Sequence, residues 1–288
     1  MRHLLALIAL LAVTSLGGWT GATAAAADPT AVVHHDTNLR NAITFNLCGG
    51  GEAPCDNDGD QSPAANLFSY VMNGPSLPRS IATQETCIQQ WLFLQGWLEL
   101  NGYQSARQIT DDHPTSTCDQ HGNAIFWKGN CPPGCRIDVR YTAQSPVEFN
   151  PPLRLGRGFI CGVSTSPGFI TCSTHLSNKD PIKAFQQSGE YSSTMNFWNS
   201  TFVLAAGDFN LVPPVVAGFY GNYWESDSCE LSCTNLPTWF KWGSLTGPFE
   251  KFDYVFTNRC RLHDLHLQAS IESDHRIVKA YMDSCSGY

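Results

Sequence analysis

Leu204-Ala205-Ala206-Gly207-Asp208-Phe209-Asn210 sets an aspartate and an asparagine two residues apart at the end of an apolar run. In a strand, residues i and i+2 point to the same face. A carboxylate and a carboxamide then leave the C-terminal end of the strand side by side, one able to take a proton and the other to donate hydrogen bonds. That pair suits hydrolysis of a phosphate ester. The competing reading is a turn in which Asp208 and Asn210 bond their own backbone. The rest of the chain decides between them.

On either side the sequence alternates strands with a few helices. Asn41 to Asn46 alternates and runs into Gly49-Gly50-Gly51, a strand feeding a loop. Pro63 to Val71 and Cys87 to Tyr103 carry apolar residues at helical spacing. Asp180-Pro181 is an N-cap followed by proline at the first helical position, opening a helix to about Trp198. Further strands are expected at Ser80–Glu85, Ala124–Lys128, Phe159–Val163, Phe169–Thr174, Phe202–Ala206, Phe252–Phe256 and Arg276–Tyr281. This mixed order, without strict β-α-β alternation, points to an α/β fold: a four-layer sandwich of two packed mixed sheets flanked by helices. Residues 111–152 hold three cysteines and six prolines and read as an irregular, disulfide-pinned insertion.

The N-terminus has a basic tip, an apolar run from Leu4 to Val13 and an Ala-rich exit at Ala24–Ala27. That pattern is a secretory signal peptide over about residues 1–26. The run is shorter than the ~20 residues a membrane span needs, so no transmembrane anchor is expected. Residues 27–288 then form the folded domain, expected to be secreted and monomeric. All twelve cysteines lie in this part, and an even count in an exported chain points to disulfides. Zinc is disfavoured, because no Cys-x-x-Cys pair occurs and the nine histidines are scattered. With 17 Lys and Arg against 25 Asp and Glu, the formal charge is −8. Such a balance argues against indiscriminate coating of nucleic acid. It leaves room for an enzyme that touches few phosphates and offsets charge with a divalent cation.

Several predicted strands end in polar residues of one chemical kind. Asn46 closes the first, Glu85 the second, and His175 follows Thr174; then come Asp208 and Asn210, Asp253, and Ser273-Asp274-His275. Hard oxygen donors with two histidines and no cysteine suit Mg²⁺, or Mn²⁺ or Ca²⁺, rather than zinc or copper. The six motifs, Phe45-Asn46-Leu47-Cys48, Gln84-Glu85-Thr86, Thr174-His175-Leu176, Gly207-Asp208-Phe209-Asn210, Asp253-Tyr254-Val255 and Ser273-Asp274-His275, resemble in kind and order those of the endonuclease/exonuclease/phosphatase superfamily. The match spans nearly the whole mature chain. Gly122-Asn123-Ala124 and the strand pair around Gly162 to Leu176 look most similar to secreted deoxyribonucleases and the catalytic subunit of cytolethal distending toxin.

The resemblance implies roles. Glu85, Asn46 and Asp274 would hold the cation. His275, oriented by Asp253, would act as an acid/base or phosphate-polarising group. Asp208 would orient or deprotonate the attacking water, or protonate the leaving oxygen. Asn210 and His175 would donate hydrogen bonds to the phosphate. Arg157 is the candidate cation for steering substrate. Each residue also has a plainer reading: Asn46 as a turn cap, Glu85 as a helix-dipole partner, His175 as a satisfied core histidine. Trp239, Phe240 and Trp242 either stack on a base or cover an apolar edge.

The function these residues imply is a DNA endonuclease, a metal-dependent phosphodiesterase. The alternatives are a sphingomyelinase-like phospholipid or small-molecule phosphoesterase, and a toxin-type catalytic subunit that needs a delivery partner. The Pro-Ala-Trp-Cys-Asp-Arg signature of inositol 5-phosphatases is replaced here by Lys251-Phe252-Asp253-Tyr254.

Overall fold

A computed structural model describes residues 41–48, 61–112, 118, 120–220, 222–225, 237–240, 249–269, 273–283 and 285. The expected signal peptide, the Gly49–Gly51 loop and Trp242 lie outside these residues.

In chain order the elements are β1 (Asn41–Asn46), α1 (Ser62–Met72), β2 (Ser80–Cys87), α2 (Ile88–Leu100), β3 (Tyr103–Asp111), β4 (His121–Lys128) and β5 (Arg136–Arg140). A short hairpin of β6 (Phe149–Asn150) and β7 (Arg154–Leu155) follows, then β8 (Gly158–Thr165), β9 (Gly168–His175), α3 (Pro181–Phe197) and β10 (Val203–Asp208). The remainder is α4 (Ala217–Tyr220), β11 (Trp224–Glu225), β12 (Trp239–Phe240), β13 (Phe249–Glu250), β14 (Asp253–Thr257), β15 (Arg261–Gln268) and β16 (Ile277–Asp283).

Two mixed sheets result. The first runs β15-β16-β1-β2-β4-β3-β7-β6 and the second β11-β14-β10-β9-β8-β5. Pairing is parallel for β1/β2 and β9/β10. Period-2 alternation sorts β1: Ile43 and Phe45 pack with Leu67, Val71, Leu94 and Leu98 of α1 and α2, while Ala42, Thr44 and Asn46 point the other way, between the sheets. On the far side α3 lays Ala184, Tyr191 and Met195 into an apolar cluster with Phe159, Phe209 and Phe256. Asp180 caps that helix as its sequence predicts, accepting from the N–H groups of Ile182 and Lys183. The architecture is the expected α/β sandwich with helices on both outer faces.

The layer between the sheets is partly polar, and this sets how they sit on each other. Ser80 Oγ meets Thr171 Oγ1 at 2.5 Å, Gln84 Nε2 donates to Ser173 Oγ at 3.0 Å, and Ser173 Oγ donates to the Thr83 carbonyl. Buried polar groups must be paired, so these directional bonds leave few ways to slide one sheet over the other. Disulfides join Cys87 to Cys118, Cys131 to Cys135, Cys161 to Cys172 and Cys260 to Cys285. Among the described residues no helix is long and apolar enough to cross a membrane.

Eight described strands exceed what the pattern predicts: β6, β7, β11, β12 and β13 are two residues long, and the others are β3, β5 and β15. β3 and β15 are built largely from polar residues, and β5 pairs with β8 inside the region expected to be irregular.

Candidate active site

The polar strand ends meet because of strand direction and register. β9 and β10 are parallel, so His175 lies opposite Asp208. β14 is antiparallel to β10, so Asp253, at the start of its strand, is the other neighbour of Asp208. His175, Asp208 and Asp253 thus form a row across one edge of the second sheet. In the first sheet β1 and β2 end together, with Asn46 opposite Gln84. β16 runs antiparallel to β1 and so begins at that same edge; Ser273, just ahead of it, donates from Oγ to the Asn46 carbonyl at 2.8 Å. Asn46 closes the gap between sheets, its Nδ2 donating to Asp208 Oδ2 at 3.0 Å.

Local backbone features aim the side chains. The β2–β4 register shifts between Thr83 and Thr86, and within that bulge Glu85 takes φ +49°. A bulge re-aims a side chain, and here it turns Glu85 to within 3.8 Å of His175 Nδ1. Asn210 has φ +48°. Its N–H donates to Asp208 Oδ1 at 2.9 Å and its Nδ2 to the Leu176 carbonyl at 3.2 Å. The strand ends at Asp208, and Asn210 folds back on it in the turn of the competing reading, so a shared strand face is not what brings the two side chains together. One amide hydrogen of Asn210 remains for a ligand. Gly207, at φ +151°, lets β10 approach β9 so closely that a Cβ would stand 2.1 Å from the Thr174 carbonyl oxygen.

Around Asp208 the charges are coupled. His275 Nδ1 meets Asp253 Oδ2 at 2.8 Å, and His275 Nε2 lies 3.6 Å from Asp208 Oδ2. His175 Nε2 lies 3.4 Å from the same oxygen. Burial works against a charged His275, but Asp253, Asp208 and Asp274 outweigh it and hold the imidazole up to about 10. Burial pushes the Asp208 carboxyl up to about 7, with Asp253 adding and His275 and Asn46 opposing. His175 goes well below the usual histidine value, because it is buried and faces Arg157, His275 and His121. At neutral pH the site therefore holds a protonated His275, a neutral His175 and an Asp208 poised near its midpoint.

The remaining expected residues fall into place unevenly. Asp274 stands beside His275, with Oδ1 3.8 Å from His275 Nε2, and accepts from the Trp239 indole at 2.9 Å. Its carboxyl is raised by burial and by the charges of Glu85 and Asp253, with His275 opposing. Two acids held against their own repulsion, with the Asn46 carboxamide at the same edge, suit a hard divalent cation. A second tight group, Asp208, Asp253 and His275, places candidate ligand atoms within 4.8 Å of one another. Asp253 Oδ1 is buried there without a hydrogen-bond partner. Arg157 lies next to the centre, but its guanidinium is engaged by Glu148 at 2.8 Å and Asn178 at 3.2 Å. With Glu85, His121, Arg154 and Lys179 it lines a cavity of about 130 Å³ opening off the site.

Three contributors escape a motif reading. Thr238 is buried and accepts at Oγ1 from the N–H groups of Phe252 and Asp253; nothing in the sequence marks it. Trp239, read as a base-stacking or edge-covering residue, instead holds Asp274 and packs on Phe252 with ring centroids 5.5 Å apart. His121 faces Glu85 and Asp111, and burial lowers it despite them. Its signal was its place directly before Gly122-Asn123-Ala124.

No family model matches the chain, and no curated protein sequence matches it. Solved structures do. D. rerio TDP2 complexed with a single-strand DNA product aligns at TM-score 0.63 and 15% identity, over 86% of this chain and 100% of that one. An endonuclease/exonuclease/phosphatase from Beutenbergia cavernae aligns at TM-score 0.62 and 16% identity, over 85% and 72%. The human Nocturnin catalytic domain with bound sulfate aligns at TM-score 0.58 and 16% identity, over 85% and 96%. The six motifs imply the same architecture, and the chain has the fold of the endonuclease/exonuclease/phosphatase proteins.

Proposed function

We propose that the protein is a secreted, divalent-cation-dependent phosphodiesterase that cleaves DNA endonucleolytically by attack of water on phosphorus. The observation that carries this reading is the convergence on Asp208: Asn46 and His275 from one sheet, His175 and Asp253 from the other. A carboxyl near 7 can accept or return a proton at neutral pH, which is where general acid–base catalysis is most effective. In this scheme Asp208 takes the proton of the attacking water. His275, charged and fixed by Asp253, donates to a phosphoryl oxygen as negative charge builds. His175 and the spare amide hydrogen of Asn210 add neutral donors to the same group. Glu85, Asp274 and Asn46 would hold a cation such as Mg²⁺, which when bound supplies Lewis-acid stabilisation of the phosphate and leaving oxygen. Arg157 and its neighbours would receive the adjoining part of the substrate.

DNA is favoured over lipid because D. rerio TDP2, of like fold, is solved with a single-strand DNA product. The export signal in residues 1–26 and the disulfides support an extracellular setting.

Supercoiled plasmid incubated with the protein and Mg²⁺ tests this. Nicking should appear, stop with EDTA, and fall by at least ~10²-fold in Asp208→Ala and in His275→Ala. Nicking that survives chelation or both substitutions would refute the mechanism. Release of phosphocholine from sphingomyelin without nicking would move the substrate to lipids.

A further inference from the structure

β16 leaves the catalytic edge and carries a different kind of residue along its outer face. Ile277, Lys279 and Tyr281 share the face turned to α1, whereas Val278, Ala280 and Met282 point into the core between the sheets. Position 279 is therefore an inward-facing position of the helix-covered layer, between Ile43 on β1 and His266 on β15. It holds a lysine that is only 3% exposed.

A buried ammonium ordinarily has a carboxylate partner. Among the described residues Lys279 has none. Its Nζ sits 5.0 Å from the Tyr281 ring centroid and 5.6 Å from that of Tyr70. The rings support a cation on their faces but leave its hydrogen-bond donors unused. Gly74 makes the room: a Cβ there would stand 3.3 Å from Nζ.

The ammonium faces a groove of about 630 Å³ between α1 and the β15–β16 ribbon. The described lining contains no aspartate or glutamate. It offers side-chain donors instead, from Asn66 and Ser69 on the helix and His266 and Gln268 on β15. His266 lies opposite Lys279 across the ribbon and meets Tyr281 edge-on at 5.3 Å. In a protein of formal charge −8, a sequestered cation ringed by neutral donors and free of acids is complementary to an oxyanion with several acceptor oxygens. Lys279 lies four positions after His275, roughly 13 Å of extended chain.

We propose that this groove is a second binding site, for a small molecule bearing a phosphoryl or carboxylate group, with Lys279 as the counter-charge. The site is independent of the phosphodiesterase reading and would stand if that reading failed.

Thermal unfolding of the full protein, followed in titrations with sodium phosphate and with sodium citrate against sodium chloride of equal ionic strength, tests the proposal. The expected result is saturable stabilisation that persists in the Asp208→Ala/His275→Ala double variant. It should weaken at least tenfold in Lys279→Met and be largely restored in Lys279→Arg. A response to phosphate alone assigns a phosphoryl ligand, and a response to citrate alone assigns a carboxylate. An unchanged response in Lys279→Met, a response lost only in the double variant, or no response beyond chloride would overturn it. Should Lys279→Met not fold, the wild-type protein still decides. Acetylation of Lys279 by acetic anhydride, read by peptide mass, should slow severalfold in the stabilising anion; an unchanged rate counts against the site.

Discussion

Trp239 Nε1 donates to Asp274 Oδ2 and so leaves Oδ1 toward His275 Nε2, 3.8 Å away. Trp239→Phe keeps the ring against Phe252 and deletes that bond. A hydrogen bond to a charged group contributes about 1.5–3 kcal/mol, so half-saturating Mg²⁺ should rise about tenfold or more while the rate at saturating Mg²⁺ changes little. A lower rate at every Mg²⁺ concentration with unchanged half-saturation would instead make Trp239 a substrate contact. His275 gives a prediction on pH. Its folded-state value, about 10, lies above the ordinary 6.5, so the folded chain binds more protons between those values. The stability it contributes is complete below pH 6.5 and declines as pH rises through about 10. In metal-free protein, unfolding free energy measured by denaturant should fall across that window, and His275→Asn should flatten the slope.

At the scale of elements the decisive feature is how closely β10 approaches β9. Gly207→Ala would place a methyl group 2.1 Å from the Thr174 carbonyl oxygen and force φ +151° on a residue with a side chain. A cost of ~3 kcal/mol or more is expected from strain and displacement together, together with loss of activity, because Asp208 is the next residue. A melting temperature equal to wild type would show that the strands can part without penalty. The same scale explains what the sequence revealed. An apolar strand such as Phe202–Ala206 was legible because burial on both faces writes a continuous apolar run. β3, with Gln104, Arg107 and Gln108, was not, since its polar side chains bond within the sandwich: Gln108 Nε2 donates to the Phe159 carbonyl and Asn123 Nδ2 to Gln108 Oε1. The aim of Glu85 was equally hidden, because a bulge depends on register and register depends on the partner strand. Thr238 left no trace because its role is the position of one oxygen.

For the molecule as a whole, the row of site residues is assembled from strands drawn from both ends of the chain. A ligand that binds only the folded state stabilises it in proportion to its saturation, about 2.7 kcal/mol at one hundred times Kd. Mg²⁺ should therefore raise the melting temperature saturably, and Glu85→Gln should shift the curve to higher concentration. A melting point indifferent to Mg²⁺ would mean that Glu85, Asp274 and Asn46 do not form a cation site.

His275 enters at the threshold of β16, and β16 is inserted between β15 and β1, the first strand described. A ribosome that has delivered residues 41–260 has made Asn46, Glu85, His175, Asp208 and Asp253, yet His275, the 2.8 Å partner of Asp253, is still to come. The Asp253–His275 contact is therefore among the last that a growing chain can complete, and the polar centre closes only when β16 slots between two strands already made.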